Sequence, residues 1–476
     1  MKKLLFCAVP ALAGILLFSA SAYSQFPEDA LRLSFPGLGV GARSLGMGMA
    51  YTGVANDFSA SYWNPAGLAQ MHLNEVSLGL DNISFGNTSS FLGSGQSFSN
   101  SSTNLNGLGL VYAVPTAKGS LVIALGYGRQ TDFTTGLSFE GFNAQSSIIQ
   151  SWAPNGGSVS DPRGNLAYEL YLANVDTVAH QWDSKILNNV TQSGKVLEGG
   201  GLNHVSVSAA IETGKDLYLG ATLNFLTGSY TYTRNYYEDD LANNWSVLPF
   251  DFRALSVLET VESDLSGFTA NLGMLYKFGR NSRLGISIKT PSWITVRETF
   301  SQSGTSDFDN GDHFSYTSAD GLQNEYDVTT PFVFSAGLSH SISDLMIAAS
   351  IDYTEWTQME FRNADQRLLN MNTDIKQLFR QTVNMKIGGE YEFPEAGVRL
   401  RAGYAYLPSP YNGDPSSRDR KYITGGIGFI IQNSIAIDFA YAHGAWDNYV
   451  VNYGNTSQVN ESVSTNNIIG TVSYRF

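Results

Sequence analysis

The sequence predicts an all-β protein, a fourteen-stranded antiparallel β-barrel that crosses a membrane. Three observations predict it: short runs in which apolar and polar residues alternate with a period of two, links between runs that are alternately short and long, and a chain end that alternates in the same way and finishes on an aromatic residue. Composition agrees. Only 15% of the 476 residues are charged, against roughly 25% in a soluble domain. The 42 acidic and 28 basic residues leave a net charge of −14 with no basic block. The electrostatic footprint that holds a nucleic-acid backbone is missing, so nucleic acid is not an expected partner.

Lys2 and Lys3 precede an apolar stretch from Leu4 to Phe18, followed by Ser19, Ala20, Ser21, Ala22, Tyr23, Ser24 and Gln25. A charged start, a short apolar middle and a small-residue end predict a secretory signal peptide over 1–24, cut after Ala22 or before Gln25. The apolar stretch is shorter than the roughly 20 residues of a spanning helix. Cys7, the one cysteine in the sequence, lies inside this segment, so the mature chain is expected to lack thiols, disulfides and thiolate metal sites.

Beyond residue 25 no window approaches 18 consecutive apolar residues, and the mean hydropathy is −0.11. The alternation is plain instead. Leu217, Leu219, Ala221, Leu223 and Phe225 oppose Tyr218, Gly220, Thr222 and Asn224, and Val383, Met385, Ile387, Tyr391 and Phe393 oppose Asn384, Lys386, Glu390 and Glu392. Side chains alternate across a strand, so each run has one apolar and one polar face. In a membrane barrel the apolar face meets lipid and the polar face lines the lumen.

Fourteen runs are read, at 76–86, 105–114, 119–130, 201–213, 215–230, 266–279, 281–290, 330–341, 343–355, 381–393, 395–407, 420–431, 432–444 and 466–476. Tight turns such as 213–216 and 394–397 alternate with long stretches such as 131–200, 231–265 and 291–329. That asymmetry is the mark of an outer-membrane barrel, with both chain ends on the short-turn, periplasmic side. Residues 293–302 read as a further strand or as an extension above the membrane. The last run, Ile468, Gly470, Val472, Tyr474 and Phe476, resembles the terminal signal that such barrels present to their assembly machinery.

Between the signal and the first strand stands a glycine-dense segment. It contains Gly41-Ala42-Arg43-Ser44-Leu45-Gly46-Met47-Gly48, the step Ala55-Asn56-Asp57, and Asn64-Pro65-Ala66-Gly67-Leu68. No strand leads into it and no phosphate-binding lysine follows, so it is not a nucleotide loop. Glycines let a backbone turn tightly in a confined space, and Pro65 stops strand pairing. These residues resemble the N-terminal hatch of the long-chain fatty acid transporter family, the FadL-type barrels that also include aromatic hydrocarbon channels.

The resemblance implies a hatch over 25–70 that plugs the lumen of a barrel over 71–476, with Gly41, Arg43, Gly46, Gly48, Asn64, Pro65, Ala66 and Gly67 as its working residues. It implies a monomer set among outer-membrane lipid and lipopolysaccharide that passes hydrophobic molecules, fatty acids or aromatic hydrocarbons, by diffusion without a cofactor or metal. In such relatives substrates are caught by outer loops and leave sideways at a kinked third strand after the hatch shifts. The third run here carries Gly126 and Gly128, which weaken pairing and permit a bend; equally, they could relieve crowding in the wall.

Candidate capture residues are Trp245, Val247, Leu248, Phe250, Phe252, Leu255, Leu258 and Val261, more apolar than a solvated loop requires. The spacing from Phe252 to Val261 suggests a short amphipathic helix. A second candidate is Leu368, Leu369, Ile375, Leu378 and Phe379. Packing of the loops on one another is the plainer reading of both sets. Counting back from the turn at Pro394 pairs Glu392 with Arg399 and Glu390 with Arg401 on the lumen side, next to Lys386. Such pairs pin register; alternatively Lys386, Arg399 or Arg401 could hold a substrate carboxylate.

The six histidines are scattered, with no H-E-x-x-H or G-x-S-x-G element, so no enzyme is expected. The hatch also resembles that of barrels that shuttle protein cargo in type IX secretion, an alternative that the long stretch 131–200 would suit. An apolar pocket beneath the hatch favours a small-molecule channel; a filled lumen favours the shuttle.

Overall fold

The computed structural model describes residues 26–246, 251–318, 321–454 and 457–476; the expected signal peptide lies outside them. The barrel strands are β1 (Glu75–Phe91), β2 (Ser94–Val114), β3 (Leu121–Asp132 continued by Thr135–Asn143), β4 (Val190–Gly214), β5 (Leu217–Asp239) and β6 (Phe252–Phe278). Next come β7 (Ser282–Lys289 continued by Trp293–Phe308), β8 (Leu322–Thr329 continued by Val333–Ile342), β9 (Leu345–Glu355) and β10 (Gln381–Phe393). The last four are β11 (Val398–Leu407), β12 (Arg420–Ile431), β13 (Ile435–Tyr453) and β14 (Ser457–Arg475). Each strand pairs antiparallel with its neighbour, and β14 returns to β1 from Glu75↔Arg475 to Ser90↔Asn460. The result is a closed fourteen-stranded barrel. Fourteen alternating runs correspond one to one with these strands.

Polarity is inverted relative to a soluble protein. Leu219, Leu223 and Phe225 of β5 and Met385, Ile387 and Tyr391 of β10 point outward and are exposed, while Thr222, Asn224, Asn384 and Glu390 point inward and are buried. An exposed apolar band around the whole wall is stable only against hydrocarbon. No helix among the described residues is long and apolar enough to cross a membrane; a closed barrel crosses with strands that satisfy their backbone groups by pairing with one another. Tyr474 stacks on Phe476 and Tyr391 lies edge-on to Phe393, aromatic pairs at the short-turn rim. Phe476 exchanges both backbone hydrogen bonds with Asn74 and completes the seam.

Several stretches read as loops are strand. The upper parts of β3 to β8 rise well beyond the roughly ten residues that cross a membrane. Residues 293–302 extend β7 after a break at Thr290-Pro291-Ser292, where proline cannot donate to the ladder, and they stay paired with β6. The short amphipathic helix expected over Phe252 to Val261 is corrected: these residues open β6 and pair on both sides, with β5 and with β7. Val257, Thr260 and Val261 are β-branched, and two flanking ladders offer their backbone groups more than an isolated helical turn would. Helices lie off the wall: α1 (Pro27–Ser34), α2 (Ala42–Gly46), α3 (Ala60–Trp63), α4 (Ile149–Trp152), α5 (Leu166–Glu169) and α6 (Gln366–Leu378).

Candidate functional site: the filled lumen and the seam between strands 2 and 3

Residues 40–70 lie inside the barrel, buried almost throughout. Their backbone touches the wall directly. Gly48 has φ +62°, and a Cβ there would lie 2.6 Å from the Tyr404 nitrogen. The wall answers with its own glycines. A Cβ on Gly388 would meet the Met47 oxygen at 2.1 Å, and one on Gly403 the Gly48 nitrogen at 2.2 Å. Gly46 also lies on Gly426 of β12, less tightly: a Cβ on Gly46 would be 3.3 Å from the Gly426 Cα. Glycine on both surfaces allows a fit that any side chain would prevent.

Asn64 fixes the next turn. Its Nδ2 donates to the Thr52 carbonyl at 2.9 Å and to the Met274 carbonyl of β6 at 3.1 Å, and its Oδ1 accepts from the Ala66 amide at 3.2 Å. Pro65 opens the following 3₁₀ turn, Pro65–Gln70, a position that needs no donor. A Cβ on Gly67 would lie 2.1 Å from the Ala55 oxygen. Gly41 has φ +94° and donates its amide to Asn106 of β2 at 2.9 Å.

Charge ties the segment to the wall. Arg43 grips Glu390 with Nε at 2.8 Å and Nη2 at 2.7 Å, and donates to Asn56 at 2.6 Å. Glu390 also accepts from Arg401 at 2.6 Å, and Arg401 reaches Asp438 at 2.6 Å. Glu390↔Arg401 and Glu392↔Arg399 are cross-strand partners, the register counted from Pro394. Lys386 is paired with Asp352 at 2.5 Å and lies over the Trp63 ring. Lys386, Arg399 and Arg401 are therefore all engaged with carboxylates. Sequence reasoning missed Glu75. It accepts from the Phe58 amide at 2.9 Å and from Arg475 at 2.7 Å, locking the segment to the β1–β14 closure. A cavity of about 250 Å³, lined in part by Arg43, Asp57, Glu75, Arg399 and Arg475, lies on this side.

Further out the lumen is apolar and occupied. Ala30 and Leu33 of α1 sit among Leu226, Leu265, Ile294, Val296 and Trp356. Helix α6 covers them, burying Leu368, Ile375 and Phe379 in the same cluster, with Leu378 exposed. Asn372 holds α6 in place by pairing with both the amide and the carbonyl of Phe361. Above lies a second apolar layer. Phe252 and Leu255 are buried there with Phe139, Leu170 and Phe308, Trp245 packs against it, and Leu258 points outward. Phe250, with Val247 and Leu248, lies outside the described residues. Glu238, in the part of β5 above the membrane, holds this cap by accepting from Ser147 and the Ile148 amide. Burial pushes its carboxyl above the usual carboxylate range.

The wall has one incomplete seam among its described ladders. β2 and β3 pair from Val114↔Leu121 only as far as Gly107↔Gly128. Beyond that point β2 follows β1, and β3 follows β4 with a register shift between Arg129 and Thr131. Side chains bridge what the backbone leaves open. Asp132 accepts from Ser102 and Asn104 of β2, each at 3.0 Å, and from Arg129 at 2.6 Å. An open cavity of about 340 Å³ lies there, lined in part by Ser102, Asn104, Arg129, Thr134 and Asn203. Gly126 and Gly109 leave room for the Phe58 ring, and Gly128 for His204 and Val40. Gly128 forms the last rung of the β2–β3 ladder.

A model of the outer membrane protein transport family (OMPP1/FadL/TodX) matches residues 40–476. The chain belongs to this family. Its fold is that of solved FadL/TodX-type barrels at low identity. A Pseudomonas aeruginosa FadL homologue is 14% identical with a TM-score of 0.58, covering 93% of this chain and 99% of that one. The Pseudomonas putida toluene transporter TodX is 15% identical with a TM-score of 0.56, covering 92% and 99%. The Ralstonia pickettii toluene transporter TbuX is 17% identical with a TM-score of 0.50, covering 92% and 98%. No curated protein matches the chain in sequence. As a member of the FadL/TodX family the protein is an outer-membrane β-barrel of a transport family, not of an enzyme family. Among the described residues no group of three or more His, Cys, Asp or Glu could hold a metal ion.

Proposed function

We propose that this member of the FadL/TodX family lets hydrophobic molecules, long-chain fatty acids foremost, diffuse across the outer membrane. Molecules are caught at the outer apolar layer, occupy the mid-lumen that α1 fills at rest, and leave sideways through the seam between β2 and β3. The glycine-dense segment acts as the hatch whose shift frees that path. The observation that carries the reading is the seam, where the described ladders leave two neighbouring strands joined by side chains rather than backbone. Side-chain bonds open at far smaller cost than a ladder. The toluene transporters among the solved relatives support a hydrophobic cargo.

The filled mid-lumen is what the protein-cargo alternative leads one to expect. Its filling is one short helix, α1, and one loop helix, α6. Displacement of an eight-residue helix suits a channel at rest, and membership of a transport family favours it.

Cross-linking across the seam tests the reading. With Ser102→Cys and Asp132→Cys joined by a short bis-maleimide, transfer of labelled hexadecanoate into proteoliposomes is expected to fall to the rate of empty liposomes, while the unlinked double variant continues to transfer. Transfer that persists after complete linking contradicts sideways release.

A further inference from the structure

We infer that the outer face of the wall, beside the open part of the seam, carries a site for the sugar headgroup of an outer-leaflet glycolipid. The site lies outside the lumen and stands independently of what passes through it. Strand pairing sets three side chains abreast there: Arg129 of β3 pairs with Asn203 of β4, and Asn203 with Thr227 of β5. Their parity is that of Leu125, Val205 and Phe225, which point outward and are exposed, so the row faces away from the lumen. Ser229, two residues above Thr227 on β5, is exposed on the same face.

The height of this row decides what it meets. The next outward-facing row toward the periplasm is Tyr127, Val205 and Phe225, the top of a band that continues through Leu125, Val207 and Leu223. Apolar contact therefore ends, and polar contact begins, between one row and the next. Short turns mark the periplasmic end of such a barrel, so this boundary lies at the headgroups of the outer leaflet. In an outer membrane those headgroups are the phosphorylated sugars of lipopolysaccharide.

The open cavity of about 340 Å³ lies on this row, at the lower end of the range for ligand pockets. Among the described residues its lining is hydroxyl and amide side chains, glycine backbone and one guanidinium, with no aliphatic or aromatic side chain. Ser102 and Asn104 of β2 close it from across the gap. The guanidinium is already committed. Arg129 holds Asp132 with Nε at 3.1 Å and Nη2 at 2.6 Å, and donates to the Gly200 carbonyl at 2.8 Å and to Asn203 at 3.3 Å. Gly201 makes room for it, since a Cβ there would lie 2.4 Å from Nη2. A pocket whose cation is neutralised offers little to a phosphate. It offers much to a neutral polyol, which can donate to and accept from Asn203, Thr227 and Ser229 at once. Acyl chains hanging from that sugar then follow Val205, Phe225 and the exposed apolar rows beneath. A phospholipid fills only this lower half.

Native mass spectrometry of the mature protein in dodecyldimethylamine oxide tests the site. The probes are three lipids with one dipalmitoylglycerol body and a glucosyl, a phosphate or a phosphoethanolamine headgroup. The glucosyl lipid is expected to be retained about tenfold more tightly than either phospholipid, the size of one or two net hydrogen bonds. Thr227→Leu with Ser229→Leu, which extends the lipid-facing surface upward, brings the three lipids level. Thr88→Leu with Ser90→Leu, at exposed positions on β1, keeps the preference. Equal retention of all three lipids by the parent overturns the site, and so does tighter retention of either phospholipid. A glucosyl preference that survives Thr227→Leu with Ser229→Leu, in protein shown to be folded by its heat-shifted gel mobility, overturns it as well.

Discussion

Glu390→Ala is expected to unseat the hatch and to destabilise its docking by about 3–5 kcal/mol, the range for removing one partner from a buried ion pair. Glu390 is the single carboxylate between two guanidinium groups, one from the glycine-dense segment and one from the wall. The Arg401 side chain is 1% exposed and Glu390 6%. Without the carboxylate, Arg401 retains Asp438, but Arg43 keeps only neutral partners and a distant Asp57 at 4.0 Å. A buried guanidinium in that position drives the segment toward water. Glu390→Gln, which keeps one acceptor and loses the charge, is expected to cost about half as much. Trypsin cleavage at Arg43 in the folded protein reads the effect: slow in the parent, fast in Glu390→Ala. Equal cleavage rates would assign the charge chain to barrel register alone.

Gly403→Val is the second large effect. A Cβ at this position would fall 2.2 Å from the Gly48 nitrogen and 2.5 Å from the Met47 carbonyl carbon. Both are backbone atoms of a segment held on its other side by the wall, so neither can rotate away as a side chain would. The cost reaches the upper end of the overpacking range, about 3 kcal/mol or more, and falls on hatch docking rather than on the barrel. Gly389 supplies the control. It sits next to Gly388 in β10, but a Cβ there would make only an ordinary contact at 3.5 Å with the Met346 oxygen, so Gly389→Ala is expected to be silent. Ser44, 1% exposed, offers the readout as Ser44→Cys: unreactive toward a maleimide in the parent and with Gly389→Ala, reactive with Gly403→Val. Protection that survives Gly403→Val would contradict the glycine-on-glycine fit.

The membrane-spanning part of this fold is written in the sequence because lipid imposes one rule on every outward position. Leu219, Leu223 and Phe225 can be assigned to lipid, and their neighbours to the lumen, by parity alone. Above the membrane the rule lapses, since water bathes one face and often both. The upper half of β2, Gln96-Ser97-Phe98-Ser99-Asn100, has no continuous apolar face, and its strand is invisible to alternation. The same loss hid the strand at Phe252–Val261, whose apolar residues face other loops instead of lipid. The register of Glu390 with Arg401 was legible because a short turn fixes it by counting. Glu75 was not, because Arg475 comes from the last strand of the chain, and Asp132 was not, because Ser102 and Asn104 belong to the part of β2 that alternation does not reveal.

Conductance in planar lipid bilayers tests the central claim, that the outward faces meet hydrocarbon and that the segment around Gly41 to Leu68 fills the hole they enclose. The intact protein is expected to insert and stay closed, and a chain lacking residues 41–68 to insert equally well and pass ions in steps the size of an open barrel. Steps of the same size from both proteins, or failure of either to enter the bilayer while remaining folded, would contradict it.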